Sequence, residues 1–330
     1  MAAGRRLCDH RGLTRFSETD MEYGITAIDT GFFRPQFDAS HLIVERGRAA
    51  FIDVGTNHSV PILLAELQRQ GVARDAVDWI ILTHVHLDHA GGAGALLRQL
   101  PKARVWLHPR GTRHMADPAQ LVAGASAVYG ADAVERTYGT LLPIAPDRIV
   151  EARDGDVIEL AGRPLRALDT PGHARHHISI WDEASRAFFP GDTFGLSYRE
   201  FDGPNGPFIL PTTSPVQFEP DALRASIERM LGHDPQAMLL THYGRIGDVA
   251  RLGAGLIEQI AAMTAISRAV DGLADRHERL KAGLADLYAA RAAAHDCGLP
   301  EAQVRERLAM DIELNAQGLG VWLDRGRRTG

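Results

Sequence analysis

One short stretch, residues 83–92, THVHLDHAGG, constrains this chain more than any other. His84, His86, Asp88 and His89 fall within it, an apolar run at 79–82 precedes it, and Gly91 and Gly92 close it. Imidazole and carboxylate bind zinc and neighbouring transition metals, and the spacing H-x-H-x-D-H lets them serve two ions at once. A strand ending near Thr83 leaves His84 and His86 two apart in extended chain, on the same side. A tighter turn at Asp88 and His89 then aims that pair at a neighbouring point. A polar loop with chance histidines is the competing explanation. With fifteen histidines in 330 residues, such clustering arises rarely by chance.

The flanking chain reads as a scaffold for such a site. Residues 23–33 read as a strand before a turn at Arg34 and Pro35. Residues 41–45 and 49–54 are apolar and separated by a short polar link, the pattern of a β-hairpin. Asp53, ending the second of them, is either a group beside the metals or a turn former. Helical spacing covers 61–70 with Gly71 as its stop, 78–82 is a buried strand, 93–100 a short helix and 105–107 a strand. Residues 109–147 hold helical fragments at 118–128 and 132–138, an insertion over the site, with His108 and His114 in surface or hydrogen-bonded roles. Residues 148–189 are strand-rich. Residues 201–217 carry four prolines and two glycines and read as a long loop, the kind that walls active sites. A helix at 221–231 and a strand at 237–240 follow. After Val249 three helical segments are expected, at 249–270, 273–295 and 301–324. In the last of these Val304, Leu308, Ile312, Asn315, Leu319 and Trp322 form a mostly apolar stripe, suited to packing on the main domain or on another subunit.

Two metals need more ligands than the opening stretch holds. His173 in PGH, Asp192 in PGD and His242 in THYG each sit at a strand-to-loop junction, where a rigid scaffold presents chemistry. This succession of motifs over residues 53–242 resembles the metallo-β-lactamase superfamily. The resemblance implies an α/β fold, an αββα sandwich of two mixed sheets with helices outside and the site at one end. It assigns His84, His86 and His173 to a first metal and Asp88, His89 and His242 to a second, with Asp192 bridging them. The expected organisation is a catalytic domain at 1–248 and an α-helical C-terminal extension at 249–330. A glutamate would replace His86 in the flavodiiron pattern, so oxygen or nitric oxide reduction is disfavoured. The implied cofactors are two divalent ions, zinc first, with iron or manganese compatible with the same donors.

The implied activity is hydrolysis by a hydroxide bridging two metals, whose charge lowers the pKa of water from 15.7 to about 7. Asp88 would orient that water as well as bind metal. No G-x-S-x-G or Walker-type loop competes with this scheme. The helical tail is similar to that of the glyoxalase II branch, which acts on glutathione thioesters, so a thioester or related ester is the expected substrate. That branch's cationic motif has no clear counterpart: Arg305, Arg307, Arg325, Arg327 and Arg328 read equally as a solvated face. The lactonase branch's tyrosine would fall on Gly195, with Tyr198 and Tyr243 near but unmatched. Lactone or phosphodiester hydrolysis on the same centre, or a regulatory module with a vestigial metal site, are the alternatives. The apolar residues Phe208, Ile209, Leu210 and Phe218 suggest either an acyl or aromatic substrate or ordinary packing.

Composition sets the remaining bounds. Hydrophobic content of 45%, charged content of 24% and net charge −6 are ordinary for a globular protein and argue against a dedicated nucleic-acid surface. No apolar run is expected to span a membrane, and no secretory signal is expected at the N-terminus. Cys8 and Cys297 lie far apart and read as free thiols, so a reducing, cytoplasmic home is expected. A small-molecule substrate and a homodimer through the tail helices complete the expectations.

Overall fold

The computed structural model describes residues 23–213 and 217–329. Residues 1–20, whose polar sequence reads as only partly ordered, the thiol of Cys8 and residues 214–216 of the 201–217 loop lie outside the described residues.

Strands β1 (Ile25–Asp29), β2 (Ala39–Glu45), β3 (Arg48–Ile52), β4 (Val77–Leu82), β5 (Arg104–Leu107) and β6 (Ile149–Glu151) form one six-stranded sheet in sequence order. Its first three strands are antiparallel and its last four parallel. Strands β7 (Val157–Leu160), β8 (Arg163–Asp169), β9 (Ile178–Asp182), β10 (Ala187–Phe189), β11 (Ala237–Leu240) and β12 (Gly244–Ile246) form the second, in which β10 and β11 run parallel. Side chains alternate across each strand, so each sheet has two faces to bury. Ile81 and Trp106 meet Ile180, Phe189 and Leu239 between the sheets. Their neighbours Ile80, Leu82 and Leu107 face outward onto α1 (Val60–Arg69) and α3 (Ala93–Gln99) through Leu63, Leu67 and Leu96. Phe188, Met238 and Leu240 face the other way, onto α7 (Pro220–Leu231), α8 (Val249–Ala269), α9 (Arg276–His295), α10 (Glu301–Arg307) and α11 (Ala309–Thr329). The result is the αββα sandwich with a C-terminal helical region. That region shares one continuous apolar cluster with the second sheet.

Several expectations need correction. The first strand stops at Asp29, not at residue 33, because the Asp29 carboxylate accepts from the N–H groups of Gly31 (3.0 Å) and Gln36 (2.9 Å) and turns the chain. The insertion at 109–147 holds three helices, α4 (Pro109–Ala116), α5 (Ala119–Tyr129) and α6 (Ala131–Tyr138), and α4 has no counterpart in the sequence reading. The last helical segment is two helices joined at Leu308. Its stripe is covered within the chain, with Val304, Leu308, Ile312, Asn315 and Leu319 all buried. Phe208, Ile209, Leu210 and Phe218 are likewise core residues at 5% exposure or less, so packing, not substrate, accounts for them. α8 is, by length and composition alone, long and apolar enough to pass for a membrane span, contrary to expectation. Its Leu252, Leu256, Ile260 and Met263 are buried in the cluster over the second sheet. Cys297 is a buried free thiol.

Candidate metal centre

All the strand ends that matter open at one edge of the sandwich. β4 runs into His84, His86 and the short helix α2 (Leu87–Ala90), which carries Asp88 and His89. β8, β10 and β11 end just before His173, Asp192 and His242. Two glycines let these turns close in. Gly172 (φ +132°) sits against the Leu223 backbone, and Gly191 (φ +48°) against Thr83 and the His177 ring. A Cβ at either place would overlap its neighbour.

The seven predicted ligands converge. One ligand atom each from His84, His86, His173 and Asp192 fall within 4.8 Å of one another, as do those of Asp88, His89 and His242. Asp192 joins the two groups. Its Oδ2 lies 3.3 Å from His173 Nε2 and 3.9 Å from His84 Nε2, while its Oδ1 lies 3.2 Å from His89 Nε2 and 3.7 Å from His242 Nε2. Asp88 Oδ2 is 3.6 Å from His242 Nε2 and 4.0 Å from His89 Nε2.

The opposite nitrogen of most rings is committed. His89 Nδ1 donates to Asp53 Oδ2 (2.7 Å) and His242 Nδ1 to the Phe37 carbonyl (2.8 Å). Thr83 Oγ1 donates to Asp53 Oδ2 (2.8 Å), which leaves it to accept from His84 Nδ1 (3.1 Å). His173 Nδ1 donates to the Thr212 carbonyl at 3.4 Å. Fixing Nδ1–H in this way turns a lone pair at Nε2 toward the centre. His86 contributes Nδ1, 2.9 Å from His84 Nε2 and 3.1 Å from His173 Nε2. Ligands on a tetrahedral ion at ~2.1 Å stand roughly 3.4 Å apart, so these edges fit a shared cation. Among the described residues the buried atoms His89 Nε2 and Asp192 Oδ1 have no hydrogen-bond partner beyond their 3.2 Å approach to each other, as metal ligands would not. The residues present therefore fit two ions.

The electrostatics divide the rings. Burial and mutual repulsion push His84, His86 and His173 below the usual imidazole range, so they are neutral donors. Burial also opposes charge on His89 and His242, but Asp192 with the neighbouring carboxylates overcomes it and raises both. Burial opposes charge on Asp192 too, yet His89, His173 and His242 hold its carboxyl well below the usual range.

Asp53 proves to be both of the things the sequence allowed. It turns the chain at φ +48° after β3, and its buried carboxylate also accepts from Thr83 N (2.8 Å) and Thr241 Oγ1 (3.0 Å). His108 caps α4, with Nδ1 accepting from Arg110 N at 3.0 Å, and His114 stands near His176, so neither joins the ligands. Two supporting residues were missed. His177 stacks on His84 with centroids 4.9 Å apart, and its Nε2 accepts from the Asp192 N–H at 3.2 Å. Its only sequence signal was a second His pair at a strand start. Asp38 is buried beside the centre, and burial raises its carboxyl to about 7 against the opposing pull of His242 and His89. Nothing local in the sequence distinguishes it.

Fold and site together define a protein with a binuclear-type His/Asp centre at the mouth of an αββα sandwich. Residues 34–242 match the Metallo-beta-lactamase superfamily, and the chain belongs to that family. It is 30% identical over 176 residues to the metallo-beta-lactamase fold-containing protein ST1585 of Sulfurisphaera tokodaii, covering 52% of this chain and 62% of that one. It is 34% identical over 157 residues to a hydroxyacylglutathione hydrolase of Synechococcus, covering 47% and 48%. An atrochrysone carboxyl ACP thioesterase of Aspergillus fumigatus is 30% identical over 36% of this chain and 27% of its own length. The chain thus spans less than two thirds of the length of each of these three curated relatives. Among solved structures, ST1585 from Sulfolobus tokodaii superposes with TM-score 0.60 at 25% identity, covering 72% of this chain and 85% of that chain. The metallo-beta-lactamase family protein TTHA1429 of Thermus thermophilus gives 0.61 at 24%, over 87% and 93%, and shares the fold.

Proposed function

We propose that this protein is a binuclear metal-dependent hydrolase of a small-molecule thioester or related ester. The observation that carries the proposal is the split of the Asp192 carboxylate, one oxygen toward each ligand group, with Oδ1 and His89 Nε2 buried and otherwise unpartnered among the described residues. A pair of divalent ions, zinc by preference for this N and O donor set, supplies Lewis acidity and a water of lowered pKa when bound. His84, His86 and His173 would hold one ion, and Asp88, His89 and His242 the other. Asp88 is part-exposed while the histidines around it are buried, so its carboxylate is placed to orient the attacking water at the solvent side. Water adds to the ester carbonyl, the C–S bond breaks, and carboxylic acid and thiol leave. Similarity to hydroxyacylglutathione hydrolase and to an ACP thioesterase supports the choice of a thioester.

The test is metal-counted protein assayed against thioester, lactone, phosphodiester and β-lactam panels. Preferred, chelator-sensitive turnover of thioesters is expected. Metal-dependent turnover of bis-p-nitrophenyl phosphate alone overturns the substrate assignment. Turnover of none at full metal occupancy overturns the enzyme assignment.

A further inference from the structure

A cleft of about 640 Å³ opens beside the first ligand group. Arg110, Thr112, Arg113 and His114 of α4 line it, with Arg175 and His176 from the loop after β8. Its volume suits one small ligand. His176 is the wall shared with the metal centre. It is 6% exposed, its ring lies 5.7 Å from that of His86 and 6.2 Å from that of His84, and His114 stands 6.4 Å away.

The charge around this cleft is unbalanced. Among the described residues Arg110 and Arg113 make no ion pair, and Arg110 Nη1 donates only to the Arg175 carbonyl at 3.0 Å. Arg175 reaches Glu219 at 3.8 Å with its side chain 58% exposed. The one lining carboxylate, Glu151, is taken by Arg153 at 2.9 Å. The tail arginines differ: Arg305 pairs with Asp286 (2.7 Å), Arg325 with Glu219 (3.0 Å) and Arg327 with Asp271. Exposed arginines on a helix are commonly just a solvated face. Here two residues of the cleft's lining, His176 and Thr112, also carry a buried polar atom, Nδ1 and Oγ1, that lacks a hydrogen-bond partner among the described residues. Leaving such groups buried and unpaired is unfavourable, and a polar ligand that reached them would relieve it. The site is held firmly, because Gly111 seats α4 where a Cβ would overlap Leu107 and Val85.

We propose that this cleft binds an anionic oxyacid group of the substrate, a carboxylate or a phosphate, and so directs the ester past His176 toward the ligand groups. Planar guanidinium groups pair with either oxyacid through two parallel N–H bonds. The inference rests on the hydrolase function proposed above and narrows its substrate to anionic thioesters.

Two matched pairs test it: S-acetyl-mercaptoacetate against its amide, and S-acetyl-phosphopantetheine against S-acetyl-pantetheine. Zinc-loaded wild type is expected to show a KM about tenfold or more lower for the charged member of at least one pair, the size of one charge-assisted contact. Whichever pair shows the difference identifies the oxyacid. The Arg110→Gln/Arg113→Gln protein, with surface side chains changed and metals recounted, is expected to lose that difference while keeping its KM for the neutral ester. Calorimetry with inorganic phosphate gives a readout independent of turnover, and its affinity is expected to weaken about tenfold in the same variant. Equal KM values within both pairs in wild type, or a preference that survives the double substitution, overturn the inference. If wild type cleaves none of the esters but loses phosphate affinity on substitution, the anion site stands and the hydrolase function fails. If phosphate affinity is unchanged as well, both fail.

Discussion

The two sheets build one centre by different means. The first delivers His84, His86, Asp88 and His89 in a single turn after β4 and props them from inside its own core, with Asp53 accepting from His89 at 2.7 Å and from Thr83 at 2.8 Å. The second delivers His173, Asp192 and His242 from three separate strand ends. One of its props is remote. His173 donates to the Thr212 carbonyl at 3.4 Å, and the next residue is held by α11, where Asn315 accepts from Thr213 N at 2.8 Å and donates to the Pro211 carbonyl at 3.2 Å. The local half is short-range and enclosed. The assembled half depends on packing more than a hundred residues away in sequence. The difference teaches that one centre can be firm on one side and adjustable on the other.

Four variants break or sharpen this contrast. Asp192→Ala removes the group on which the halves meet, and neither ligand set stays complete. Metal content below one ion per chain and loss of turnover by orders of magnitude are expected, by metal analysis and assay. Asp53→Asn takes the carboxylate from His89 alone of the ring donors. About 10–100-fold weaker binding of one ion is expected, the other being retained, as read by competitive chelation. Asn315→Ala takes the acceptor from Thr213 N and the donor from the Pro211 carbonyl and the Tyr288 hydroxyl, costing about 1–3 kcal/mol of stability. Thermal melts should show that loss, with KM rising while metal content holds.

The last variant concerns stability alone, through Asp311 on α11. Burial raises its carboxyl from 3.8 to about 6, against the hydrogen bond donated by Tyr198 at 3.1 Å. A folded pKa above the unfolded one means the folded chain holds the proton more tightly. Ionisation therefore works against the fold above about pH 6, and the penalty disappears below about pH 4. Asp311→Asn keeps an acceptor for Tyr198, so it should stabilise the protein at pH 8 by roughly 2–3 kcal/mol and change little at pH 4. Melts at both pH values check the sign.

The same contrast explains what the sequence disclosed. The local half was legible because its ligands lie within one turn, and the strands and helices of the sandwich were legible through their period-2 and period-3.6 patterns. The ligands His173, Asp192 and His242 were placed by the Pro-Gly turns and strand ends that precede two of them and the strand that precedes the third. What stayed hidden depends on tertiary approach. Asp53 could not be assigned until Thr83, His89 and Thr241 met its carboxylate. His177 matters only because the turn at Gly191 brings the Asp192 N–H to its ring. The cationic cleft needed α4, an eight-residue helix with two arginines, one histidine and Met115 as its single large apolar residue, too short a run to read as a helix.

The most direct test of the central claim is a titration of metal-stripped protein with zinc, following thioester turnover and ions bound per chain together. The account predicts that turnover reaches its maximum at two equivalents and that His86→Ala never reaches it. Full turnover at zero or one equivalent, or wild-type turnover by metal-replete His86→Ala protein, would contradict it.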